Sequence, residues 1–134
     1  MQSQAPNDTS HTAPHKALII MAHGSRRAAA NEEFFQLVAQ VANTTSNYQL
    51  VRPALLEQAP PSLLQACREL PESVTEIDVY PLFFNQGRHV EKDIPAQVAE
   101  VLDAFPGRQV RLLDYFGSSS GLAALIGEHL SSQR

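Results

Sequence analysis

The chain has 134 residues, 43% of them hydrophobic and 18% charged, with a formal net charge of -4. That is the length of one domain able to bury its own core, and the acidic balance speaks against a general nucleic-acid binder, which carries a basic excess. No apolar run approaches the roughly 20 residues of a membrane-spanning helix, and one cysteine, Cys67, permits no internal disulfide, which fits a reducing cytoplasm.

Residues 1–15 are polar and rich in Pro, Ser, Thr and Asn. They lack the basic and apolar regions of a signal peptide and read as a disordered tail before a folded domain at 16–134. Residues 16–22 are almost continuously apolar, as in a strand covered on both faces. Residues 31–42 follow with Phe34, Phe35, Leu37, Val38 and Val41 on one helical face. Residues 48–56 form a second strand that contains Pro53. Proline gives no ladder hydrogen bond, so this strand is an edge or bends there. Pro60, Pro61 and Ser62 open a helix that runs to Leu70, where Pro71 closes it. Cys67 lies on its apolar side and acts as a small buried hydrophobe. Residues 74–84 form a third strand. Asp93, Ile94 and Pro95 open a helix to Phe105, and Pro106-Gly107 ends it. Residues 108–115 form a fourth strand, and 122–130 a last helix.

Four βα units imply an α/β fold: a four-stranded, mainly parallel sheet with helices on both faces. A strand order of 2-1-3-4 makes the first and third strands neighbours at the topological switch point, where ligands bind. It places His23, in Ala22-His23-Gly24-Ser25-Arg26, opposite His89, in Gly87-Arg88-His89-Val90. No motif recurs along the chain, so there is no internal duplication.

Imidazole suits borderline divalent ions such as Co, Ni, Fe and Zn. Two such ligands hold an ion weakly and let it move on, which suits delivery better than storage. Glu57, just past the second strand, offers a third ligand or a proton acceptor. Ser25 stands in the turn after His23, ahead of helical amides that favour anions. Arg26, Arg27, Arg88 and Lys92 would give the site a basic mouth suited to carboxylates or phosphates. The partner read from these residues is anionic and takes a metal. His11, His15 and His129 stand apart from this group.

In these segments the chain resembles the short CbiX-type sirohydrochlorin chelatases, the class II tetrapyrrole chelatases. The resemblance is carried by Ala22-His23-Gly24-Ser25-Arg26 with Asn31-Glu32-Glu33, by Leu56-Glu57-Gln58-Ala59-Pro60-Pro61-Ser62-Leu63, by Pro81-Leu82-Phe83-Phe84 through Gly87-Arg88-His89-Val90, and by Asp93-Ile94-Pro95. It implies a chelatase-like three-layer domain and ATP-independent insertion of Co2+ or Fe2+, and in related enzymes Ni2+, into sirohydrochlorin for cobalamin or siroheme. It implies metal ligation by His23 and His89, with Glu57 assisting, and a homodimer. The eight carboxylates of such a substrate would give Ser25, Arg26, Arg27, Gly87, Arg88 and Lys92 a binding role. No Gly-x-x-x-x-Gly-Lys-Ser/Thr phosphate loop is present, in keeping with a reaction that uses neither ATP nor an organic cofactor.

Two other readings share these residues. A metal or tetrapyrrole carrier would use the same histidines without turnover. A histidine phosphatase would carry arginine before the first histidine, where this chain has Ala22.

Overall fold

Strand β1 (Lys16–Ala22) runs through the middle of the molecule. Its side chains alternate between two cores. Ala17, Ile19 and Met21 face one, Leu18 and Ile20 the other. Hence the continuous apolar run: a parallel strand buried on both faces has no solvent side. The coordinates are a computed structural model that describes residues 13–134 and, at His89, the backbone alone. Most of the expected tail therefore lies outside the described residues. Pro14 and His15 are tied down: the Ser73 hydroxyl donates to Pro14 O, and Thr75 N–H to His15 O.

The chain continues through α1 (Ala28–Ala42), β2 (Leu50–Leu55), α2 (Leu63–Arg68), β3 (Glu76–Pro81), α3 (Ile94–Ala104), β4 (Gln109–Leu112) and α4 (Leu122–Ser131). The order is β2-β1-β3-β4, all parallel, with Ile20 opposite Pro53 on one side and Tyr80 on the other. Pro53 does sit on an edge strand, where its missing N–H costs no inner bond. The α/β class and the switch point between β1 and β3 are as the sequence suggested.

Helices α2 and α3 cover one face of the sheet. Their core gathers Leu63, Ala66 and Cys67 with Ile77, Val79, Ile94 and Val101. A side chain of this kind contributes about 1.5–3 kcal/mol when fully buried. Ser62 starts α2 with a capping box: its hydroxyl accepts from Gln65 N–H, and the Gln65 side chain accepts from Ser62 N–H. Helix α1 covers β1 and β2 on the other face through Val38, Phe34 and Val41.

Three expectations need correcting. The first strand has the expected bounds, but β2, β3 and β4 are shorter than their apolar runs, because those runs continue into loops that pack on the core. Helical structure begins ahead of Asp93: residues His89–Asp93 form a π-helical turn that runs into α3. The last helix forms but lies on neither face of its own sheet.

At the amino ends of the strands, Asp78 is buried and fully engaged. Tyr48 Oη donates to its Oδ2 at 2.6 Å, and Arg111 donates to both carboxylate oxygens at 3.2 and 2.9 Å. Burial pushes the Asp78 carboxyl up, but the hydrogen bonds from Arg111 and Tyr48 outweigh it and hold the group below its ordinary 3.8. The Tyr48 phenol is pushed up to about 12, by burial first and by its hydrogen bond to Asp78 second. Burial likewise pushes the Cys67 thiol up to about 11.

Two outcomes follow. Asp78→Asn should cost about 1–3 kcal/mol at neutral pH, the price of weakening hydrogen bonds to a buried charge. A carboxyl held below 3.8 adds stability that is complete above that value and lost as the pH falls through the folded-state value. Urea midpoints of wild type and variant should therefore converge as the pH drops from about 5 toward 2. Native Cys67 should resist alkylation near about pH 8 and react once urea unfolds the chain.

Candidate metal-handling site

The pairing of β1 with β2 does not stop where the strands do. Leu56 N–H donates to Ala22 O at 2.9 Å and Glu57 N–H to His23 O at 3.1 Å. This extension sets the two side chains next to each other at the carboxyl rim. His23 Nε2 lies 3.0 Å from Glu57 Oε2, and the side chains are 43% and 50% exposed. His23 Nδ1 lies 3.0 Å from Gly24 O. A carbonyl only accepts, so Nδ1 carries the proton in that contact and Nε2 faces the rim. Metal-binding histidines commonly donate one ring N–H to a backbone carbonyl in this way, and the other nitrogen, here Nε2, is the one held against Glu57.

Gly24 makes the close approach possible. Its φ is +97°, and a Cβ there would fall 2.0 Å from Glu57 O. The turn that follows is built from side chain to backbone. Ser25 N–H donates to Asn31 Oδ1 at 2.9 Å, Asn31 Nδ2 donates back to Ser25 O at 2.8 Å, and Ser25 Oγ accepts from Arg27 N–H at 3.0 Å. Asn31 is buried on α1, so the turn is anchored to the helix it precedes. Ser25 is thus already committed to the turn.

The other predicted residues lie on the same rim. Gly87 O accepts from Glu91 N–H at 2.9 Å and starts the turn that holds His89 and Lys92. The His89 side chain lies outside what the structure describes; its backbone follows β3, the neighbour of β1. Arg26, Arg27, Arg88 and Lys92 are all exposed. Arg26 Nε donates to Gln58 Oε1 at 3.3 Å, which leans it toward the loop after β2. His15 precedes β1 at the opposite end, His129 sits on α4, and His11 lies outside the described residues. Among the described residues, no three His, Cys, Asp or Glu side chains gather as a complete metal centre.

Two features of the rim gave no signal in the sequence. An open groove of about 440 Å³ lies beside Glu57, lined by Leu56, Asp93, Ala96, Gln97 and Glu100. Gln97 Nε2 donates to Leu56 O at 3.1 Å, tying α3 to the loop after β2. The rim is therefore acidic toward α3 as well as basic toward the loops. On its far side Phe84 and Phe116 meet edge to face with centroids 5.7 Å apart, and Phe84 is 69% exposed. Hydrophobicity alone marks both as core; only the approach of two loops distant in sequence makes them a surface pair.

Comparison with known proteins gives one consistent family. The CbiX family profile matches residues 17–133. The chain is 34% identical over 119 residues to the chloroplastic sirohydrochlorin ferrochelatase of Arabidopsis thaliana, covering 84% of this chain and 50% of that protein. It is 28% identical over 115 residues to the sirohydrochlorin cobaltochelatase of Sulfurisphaera tokodaii, covering 84% of this chain and 89% of that one. The fold superposes with a TM-score of 0.71 on a crystal structure named as a CbiX protein of cobalamin (vitamin B12) biosynthesis from Marinobacter aquaeolei, at 29% identity, covering 88% of this chain and 96% of the other. The chain spans about half the length of the plant relative.

Gly24→Ala tests the geometry of the rim. A side chain in that left-handed conformation costs about 1–2 kcal/mol before the clash is counted. The variant should melt at lower temperature and bind Co2+ more weakly in isothermal titration than wild type.

Proposed function

The chain belongs to the CbiX family, and on that premise we propose that it inserts a divalent metal ion into sirohydrochlorin without ATP, in cobalamin or siroheme biosynthesis. Co2+ or Fe2+ is the ion in this reading, with Ni2+ a further candidate. The observation that carries it is the His23–Glu57 pair, 3.0 Å apart and half-exposed on the switch-point rim.

Insertion removes two pyrrole N–H protons and moves the ion from protein donors to ring nitrogens. His23 presents Nε2, oriented through Nδ1 by the Gly24 carbonyl. Glu57 provides a carboxylate beside it that is able to ligate the ion or accept a proton. His89, carried on the turn after β3, is the second histidine ligand in this reading. With few protein ligands the ion keeps positions open for the incoming nitrogens, as in catalytic rather than structural sites. Arg26, Arg27, Arg88 and Lys92 meet the substrate carboxylates, and Gly87 lets the loop approach the macrocycle. Phe84 offers an apolar face for a pyrrole ring. The unit in this reading is a homodimer, so that a second lobe closes over a flat substrate. A cytoplasmic location fits the lone thiol, which is buried.

The test is an anaerobic spectrophotometric assay of sirohydrochlorin with Co2+, Fe2+ and Ni2+. Wild type should convert the pigment well above the uncatalysed rate. His23→Ala and His89→Ala should each lower kcat about 100-fold or more, the range of a lost acid–base or ligand group. Phe84→Ala should act mainly on KM. Tight binding of metal or pigment with no acceleration would replace insertion by carriage.

A further inference from the structure

Gln97, in the first turn of α3, sits there at a cost that the fold does not explain. Its Nε2 donates to Leu56 O at 3.1 Å, while its Oε1 is buried with no hydrogen-bond partner among the described residues. A buried acceptor left unmade costs more than one neutral hydrogen bond returns, so an apolar side chain of the same length would serve the fold better. A second costly feature lies close by. Gln58 holds φ at +78°, in the left-handed region that a residue with a Cβ avoids. Strain of this kind persists where the surroundings over-determine it, and it gathers at functional sites. The two features flank Glu57, one acting on the residue before it and one on the residue after.

The Gln97 bond joins two segments that carry donors. The Leu56–Glu57 peptide is held at both ends: its N–H donates to His23 O at 3.1 Å, and its carbonyl accepts from Gln97. Helix α3 itself continues the π-helical turn that carries His89, a kind of turn found mostly at functional sites. One amide therefore ties the helix behind His89 to the loop of Glu57, just as the β1–β2 extension ties Glu57 to His23. A carboxamide donates this bond without a charge, where a lysine or arginine would set a positive charge beside a cation.

We propose that Gln97 is a positioning residue: it clamps the Leu56–Glu57 peptide to α3 and so holds the Glu57 carboxylate against His23 and in register with the turn of His89. The inference rests on the functional reading above and deepens it. Gln97 touches neither the ion nor the macrocycle in this scheme; it acts through Glu57. The buried oxygen and the left-handed Gln58 are then the cost in stability of holding one carboxylate still.

Gln97→Met removes both polar atoms at nearly constant shape. The variant should melt no lower than wild type, since the unmade acceptor goes with the bond. In the metal-free protein, hydrogen exchange of the Glu57 amide, followed by NMR, should quicken about tenfold while that of Val79 in β3 keeps its rate. Co2+ titrated calorimetrically should bind about tenfold more weakly to the variant, the low end of the range for residues that orient a metal ligand. In a Glu57→Gln background the same substitution should change Co2+ affinity less than about twofold, because the group it acts through is already gone. With sirohydrochlorin, kcat should fall while KM holds. Unchanged Glu57 exchange, a lower melting temperature, Co2+ bound by Gln97→Met as tightly as by wild type, or an equal loss of affinity in both backgrounds overturns the proposal. Faster Glu57 exchange in a protein that neither binds nor inserts metal keeps the clamp and sinks the functional reading; metal insertion by Gln97→Met at the wild-type rate does the reverse.

Discussion

The candidate site depends on backbone pairing that outlasts its strands. β1 and β2 finish as regular strands at Ala22 and Leu55, yet their main chains stay hydrogen-bonded through His23 and Glu57. Main-chain bonds, unlike long side chains, lose little freedom when a ligand arrives. The two donors are therefore preorganised by the sheet. Gly24 is the condition for this: any side chain there would push the Glu57 carbonyl away and separate the pair. The depth of β1 in the core completes the constraint, since apolar packing on both faces fixes its register with β2 and β3 together.

Charge is divided between the two ends of the sheet. At the amino end, Asp78, Tyr48 and Arg111 satisfy one another. Arg108 there donates to the carbonyls of Cys67, Val74 and Pro71, closing the end of α2. These bonds hold the fold together. At the carboxyl end, charged side chains stand exposed: arginines and Lys92 on the loops, Glu57 and Glu100 by the α3 groove. A site of the proposed kind, taking in an ion and a polyanion, needs charged groups that a ligand can reach from solvent.

Much of this was legible in the residues. The unbroken apolar run at 16–22 announced a central strand, Pro53 an edge, and Pro61-Ser62 a helix start. Choosing the order that lets His23 and His89 share a crevice gave the order observed. What stayed hidden was long-range or geometric. The π-helical turn at His89–Asp93 has no periodicity of its own, being five residues long. The meeting of Phe84 with Phe116, and of Asp78 with Tyr48 and Arg111, is set by topology, not by neighbours in sequence. For α4, the pattern foretold a helix correctly, but apolar residues report only that a helix seeks cover, not where it will lie.

The loop after β4 leans on the loop after β3 through main chain as well as through the Phe84–Phe116 rings. Gly117 N–H donates to Phe83 O at 2.9 Å, and a Cβ at Gly117 would lie 1.7 Å from Phe84 O. At Gly117 the two loops are thus stacked main chain on main chain, with no side chain to cushion them. Residues 116–121 act as a buttress: a change in their length or sequence would tilt Phe84, which Phe116 and Gly117 touch directly, and with it the start of the His89 turn. Variation in what this rim admits has a natural place to arise there, in a segment that carries no donor, so that selectivity is free to drift while the chemistry stays fixed.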